Sequence, residues 1–220
     1  MTDHEERAAR RGRPSASSRE TLEEAALELF LEQGYEQTSA SDIARRAGVA
    51  RSSFFNYFTA KADVLWVGLD PLLAGIPSVL DAAAADLADA GLSEPAGPAE
   101  AGAGGAGLAE LRRVLLAISE TVRPEHIPWA ASLREMTGTG DDLAATGSKR
   151  MLAQQAALVR YLARTEPGLD ALQRTVCAGA IVAAVVAAGS VWIEAGPTRG
   201  SLAELVDKAT APILEVFGRG

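Results

Sequence analysis

Between Ser39 and Phe58 the chain reads SASDIARRAGVARSSFFNYF, which leaves room for little except two short helices and a tight turn. Thr38 and Ser39 are both good N-cap residues. Ser39 with Asp42 has capping-box spacing, aspartate standing where glutamate is usual. Ile43, Ala44 and Ala47 share one apolar side of a helix about two turns long. Gly48 ends it, because glycine takes the left-handed backbone that a sharp stop needs. Val49 plugs the turn, and a second helix is expected from about Arg51 to Tyr57, with Phe54 and Phe58 one turn apart and facing inward. Arg51, Ser52, Ser53, Asn56 and Tyr57 then face outward, with side chains of the kind that bond base edges and phosphates. The second helix of such a pair enters a DNA major groove. On spacing alone, the alternative is a small helical hairpin that only packs.

Upstream, Ser17 to Glu20 forms another capping box, opening a helix to about Gln33. Leu22, Ala25, Ala26, Leu29 and Phe30 follow the spacing of a buried stripe, and Gly34 stops the helix. Residues 1–16 are polar and arginine-rich. They read either as a disordered basic tail or as an arm reaching phosphates or the minor groove.

The net charge of −8 looks wrong for a nucleic-acid binder until it is divided along the chain. Residues 1–61 carry nine Lys/Arg against ten Asp/Glu, and the remainder carries twelve against nineteen. In the first part Arg45, Arg46, Arg51 and Lys61 flank the turn, while Glu20, Glu24 and Glu28 share one face of the first helix. Segregation of charge matters more for phosphate contact than its sum.

From Arg19 to about Trp66 the chain resembles the N-terminal domain of the TetR family of transcriptional regulators. The matching residues are Ala26, Leu29–Phe30, Gly34–Tyr35, Thr38–Ser39, Asp42–Ile43–Ala44, Ala47–Gly48–Val49, Phe54, Tyr57–Phe58 and Lys61. The resemblance implies an all-α protein: a three-helix DNA-binding domain over 17–60, then a larger ligand-binding and dimerisation domain over 61–220. It implies a homodimer on palindromic double-stranded DNA, acting in the cytoplasm as a repressor released by a small molecule, with activation as the alternative. Arg51 is the expected base reader, assisted by Ser52, Ser53 and Asn56, and Thr38, Tyr57 and Lys61 are expected at phosphates, with Ser39 beside them. Two positions depart from the family pattern. Ala50 stands where a capping Ser or Thr is usual, and Phe55 where a tyrosine often supplies a phosphate-binding hydroxyl, so that role is not carried over. Phe54–Phe55, Trp66 and the Arg11–Pro14 head resemble the mycofactocin-type actinobacterial branch, whose regulator is associated with acyl-CoA ligands.

Beyond Phe58, Thr59 can cap a helix from about Ala60; Pro71 should break or kink it after Asp70 and Pro77 follows soon after, giving either one bent helix to about Ala88 or two pieces. Lys61 sits near its N-terminus, where a phosphate is favoured. Residues 91–107 hold six glycines, two prolines and five alanines and read as a flexible loop. Helices are expected at about Leu108–Thr121, Pro128–Met136, Asp141–Arg164 and Leu169–Ala195, with a last one capped by Ser201.

Thr175–Ile193 carries no charge over 19 residues. A helix buried on most sides explains it better than a membrane span, since Lys/Arg do not flank it in excess. Ala180, Ala184 and Ala188 recur every four residues, so two backbones could approach there. The resemblance pairs this helix and the one over about 201–217 with their mates in a four-helix bundle; purely internal packing is the alternative.

Catalysis finds little footing. The two histidines are His4 and His126, no His or Cys spacing suits a metal, and no Gly-x-Ser-x-Gly is present. No enzyme activity, cofactor or metal is expected. Cys177 sits in an apolar run and reads as a buried small side chain. No apolar N-terminal segment suggests a secretory signal. Trp66, Trp129, Met136, Met151 and Leu158 are candidates to line a ligand pocket, with Arg112, Arg113 and His126 as polar contacts. A helical small-molecule-binding protein that does not use DNA is the competing reading.

Overall fold

The computed structural model describes residues 18–91, 105–126 and 140–219. The tail over 1–16, most of the 91–107 loop and the expected helix at Pro128–Met136 lie outside the described residues. Those residues are helical, with no strand among them, and divide into two units between Val67 and Gly68.

The first unit holds α1 (Ser18–Gln33), α2 (Ala40–Arg46), α3 (Arg51–Tyr57) and a 3-10 turn over Lys61–Trp66. The α1 stripe of Leu22, Ala25, Ala26, Leu29 and Phe30 is buried, as its spacing requires. Its core is completed by Tyr35, Ile43, Ala44, Phe54, Phe58, Val64 and Leu65. Phe30 and Tyr35 meet edge-on with centroids 4.9 Å apart, joining the end of α1 to the residue that follows its stop.

The helix expected from Ala60 is instead the short 3-10 turn, and α4 starts afresh at Asp70 and runs to Asp89. Pro71 therefore opens α4 instead of breaking it. A first-turn residue needs no N–H, and proline's fixed φ already suits the helix. Pro77 lies inside α4 and leaves the Leu73 carbonyl without its helical donor.

The second unit continues with α5 (Ala106–Thr121), a 3-10 turn at Pro124–His126, α6 (Gly140–Thr165), α7 (Ala171–Glu194), another 3-10 turn at Gly196–Thr198, and α8 (Leu202–Gly218). One core joins them: Leu80 and Ala84 from α4, Leu111 and Val114 from α5, Leu158, Tyr161 and Leu162 from α6, Cys177 and Ile181 from α7, and Leu214 from α8. Burial pushes the Cys177 thiol up to about 11, so it packs as a neutral side chain. The N-terminus of α5 is held from α6. The Glu166 carboxylate accepts from the Leu108 amide at 2.8 Å, and the Tyr161 hydroxyl donates to the Gly107 carbonyl at 2.8 Å. Glycine is needed at 107, since a Cβ there would stand 2.6 Å from the Thr165 side chain.

The expectation for α7 needs correction. Only 28% of its most apolar window is buried within the chain. Leu172, Val176, Ala183, Val186 and Ala187 are exposed on one side, whereas Ala188 is buried and Ala180 and Ala184 are half-buried. The alanine row thus lies towards the chain's own packing, and larger apolar residues form the open face. By length and composition both α4 and α7 could cross a membrane. On α8, Val206 and Leu214 are buried, whereas Val216 is exposed.

Candidate nucleic-acid interface

The turn between α2 and α3 is built by local bonds. Ser39 is the N-cap of α2, with extended backbone (φ −100°, ψ 160°) and its Oγ accepting from the Asp42 amide at 3.2 Å. Asp42 Oδ2 accepts in return from the Ser39 amide at 3.0 Å and hydroxyl at 2.6 Å. Those bonds, with Arg45 beside them, hold the Asp42 carboxyl below its ordinary value. Gly48, at φ +71°, makes the reversal, and the Val49 amide returns to the Ala44 carbonyl at 3.0 Å. Ala50 caps α3 with no side-chain bond, as its methyl group dictates.

The two faces of α3 separate cleanly. Phe54 and Phe58 point inward, fully and almost fully buried, with centroids 5.1 Å apart. Arg51, Ser52, Asn56 and Tyr57 are exposed and Ser53 is half-buried. The outward residues therefore share one short helix anchored by two phenyl rings.

Three expected phosphate-side residues are engaged internally. Thr38 is buried, its hydroxyl donating to the Gly34 carbonyl at 2.8 Å and accepting from Gln33 Nε2 at 3.1 Å. The hydroxyl is thus engaged within the domain, at the end of α1. The Ser39 hydroxyl is committed to the capping box. Lys61 Nζ donates to the Tyr35 carbonyl at 2.8 Å and stands 3.6 Å from the Tyr35 ring centroid. The helix N-terminus expected to present Lys61 to a phosphate is closed by Asp63, whose Oδ2 accepts from the Thr59 and Ala60 amides at 3.1 and 3.0 Å.

The cations around the turn divide in the same way. Arg46 bridges α2 to α1 through Glu28 at 2.9 Å and Glu32 at 2.5 Å, and these partners raise its pKa. Arg45 pairs with Asp42 at 2.5 Å. Arg51 has neither a carboxylate nor a carbonyl partner among the described residues, and its guanidinium carbon lies 5.5 Å from the Phe55 ring centroid. Phe55, to which the sequence assigned no role, is 47% exposed on this same face. Its spacing of four from Arg51 was the signal available.

The candidate pocket residues fall in both units. Trp66 is half-buried in the first unit, and Leu158 is core of the second. Met151 is half-buried on α6. Trp129 and Met136 lie outside the described residues. His126 Nδ1 accepts from the Arg123 amide at 3.1 Å, closing a 3-10 turn. The expected basic mouth at Arg112 and Arg113 is not formed. Arg112 holds Asp207 on α8 in a fork of 2.7 and 2.8 Å bonds, and Arg113 pairs with Glu110 one turn back. A shallow groove of about 360 Å³ lies beside Arg112, lined also by Leu108, Ala211, Leu214 and Glu215. No cluster suited to a metal occurs among the described residues.

Comparison with known proteins agrees with the geometry of the first unit. A mycofactocin biosynthesis transcriptional regulator of Mycobacterium tuberculosis, MftR, is 34% identical over 73 residues, 33% of this chain and 37% of that protein. The chain thus matches little more than a third of that relative's length. The fold resembles Thermus thermophilus FadR, solved with lauroyl-CoA, at a TM-score of 0.55 and 22% identity, over 90% of this chain and 93% of that one. It also resembles NalD, the secondary repressor of the MexAB-OprM efflux pump in Pseudomonas aeruginosa, at 0.52 and 17%, over 89% and 94%. Residues 22–65, the helix-turn-helix unit described above, match the profile of the bacterial regulatory proteins, tetR family.

Proposed function

We propose that the protein is a cytoplasmic, dimeric, sequence-specific DNA-binding regulator, a repressor released from a palindromic operator by a small molecule. The observation that carries this is the division of α3: two buried phenylalanines fix the helix, and its outer face carries Arg51, without a carboxylate partner among the described residues, beside exposed Ser52 and Asn56. Arg46 is taken up in joining α2 to α1 and Arg45 pairs with Asp42 on its own helix, which favours Arg51 as the base reader of the turn. The exposed apolar side of α7 is the face on which a second copy would pack. Two copies place two α3 helices on half-sites related by two-fold symmetry. A ligand that favours a different spacing of the two domains weakens DNA binding, and DNA weakens ligand binding by the same factor. Acyl-CoA thioesters are the effector class to test first, because FadR, which the fold resembles, was solved with lauroyl-CoA.

The test is selection of bound duplexes from a random pool, followed by fluorescence anisotropy across a salt series. Enrichment of one near-palindromic sequence, bound less tightly as salt rises, is expected. Arg51→Ala should cost about 1–3 kcal/mol and relax preference at one position per half-site. No enrichment even at low salt would favour a small-molecule-binding protein that does not use DNA.

A further inference from the structure

Phe55 is an exposed phenyl ring on a helix face otherwise made of Arg51, Ser52, Asn56 and Tyr57. Core packing does not explain it, because Phe54 and Phe58 already fill the inner side. Its position is nonetheless defined. The buried Phe54 ring meets it edge-on, with centroids 5.3 Å apart and planes at 79°, and the Arg51 guanidinium carbon lies 5.5 Å from its centroid. A ring held from two sides has little side-chain freedom left to lose on binding.

A phenyl ring offers no hydrogen bond to a phosphate, so its partner in a groove must be apolar. The major groove displays one such group, the C5-methyl of thymine. Arg51, the neighbour that holds the ring, is the side chain suited to the O6/N7 edge of guanine. Four residues of helix separate the two by about 6 Å, less than two base-pair steps of about 3.4 Å each.

We propose that Phe55 is a specificity-determining residue that packs on a thymine methyl group within two base pairs of the guanine read by Arg51. The inference rests on the DNA-binding reading above and adds a second base to each half-site. Its chemistry also separates Phe55 from a merely structural residue, since loss of fold would weaken all duplexes alike.

The experiment starts from the duplex selected by the wild-type protein and replaces each thymine in turn with uracil, which removes only the methyl group. At one thymine per half-site, uracil is expected to weaken binding about fourfold, the burial value of one methyl group. Phe55→Ala should bind the thymine and uracil duplexes equally, and Phe55→Leu, which keeps an apolar side chain, should retain part of the preference. The sensitive thymine should lie within two base pairs of the position whose preference Arg51→Ala relaxes. The proposal is overturned if no thymine is sensitive, or if the sensitivity persists unchanged in Phe55→Ala. Failure to select any sequence would instead remove the DNA-binding reading, and this inference with it.

Discussion

Pro77 and Gln154 test whether one side chain repairs a helix from outside. Pro77 has no N–H for the Leu73 carbonyl four residues earlier. Gln154 Nε2, reaching from α6, donates to that carbonyl at 3.1 Å in a partly buried site. In the natural background, Gln154→Ala loses a net hydrogen bond of about 1 kcal/mol and leaves a carbonyl unsatisfied, for a total of about 1–3 kcal/mol. In a Pro77→Ala background the new amide at 77 can take the Leu73 carbonyl, and the same change should cost about 0.5 kcal/mol or less. The coupling energy in the cycle is thus about 1–2 kcal/mol. Urea unfolding of the four proteins, at one fixed protein concentration so that subunit association is held constant, measures it. Equal costs of Gln154→Ala in both backgrounds would show that the bond does not substitute for the missing helical one. Pro212 in α8 is the contrast. It is exposed, and the carbonyl it orphans belongs to exposed Lys208, where water can serve.

Ala50→Ser should stabilise the first unit by about 0.5–1 kcal/mol, read as a higher unfolding midpoint, because position 50 has extended N-cap backbone and no side-chain bond. Burial lifts the Glu166 carboxyl above its ordinary value of 4.5, opposed by the Leu108 and Gly107 amides. A raised acid binds more protons folded than unfolded, so its contribution to stability falls as pH rises from about 4.5 through the folded value and is constant above it. In denaturant titrations, Glu166→Gln should show a shallower fall than wild type across that window. Val176→Glu, at a half-exposed position on the open face of α7, should leave the helical circular dichroism intact and turn a dimer into a monomer by analytical ultracentrifugation. An unchanged dimer mass would place the subunit interface elsewhere.

Features confined to a few neighbouring residues were legible in the sequence. The Ser39–Asp42 box, the Gly48 reversal, the uncapped start at Ala50 and the inward pair Phe54 and Phe58 follow from local caps, backbone preference and helical period. So does the outward set from Arg51 to Tyr57, because a seven-residue helix with two buried rings has only one other face. Tertiary structure decided which polar groups remain free. Arg46 finds Glu32 fourteen residues back, Lys61 finds Tyr35 across twenty-six, and Arg112 finds Asp207 across ninety-five. No periodicity encodes such partners, so the engagement of Lys61 and Arg112 was not legible in the sequence. Pro71 and Pro77 each remove a donor wherever they stand. The start of a new helix at Asp70 and a glutamine from α6 decide whether that loss matters. The apolar length of α7 was plain from composition. Hydrophobicity measures what a surface gains by leaving water, without naming what covers it, and only the packed chain showed which side α7 leaves open.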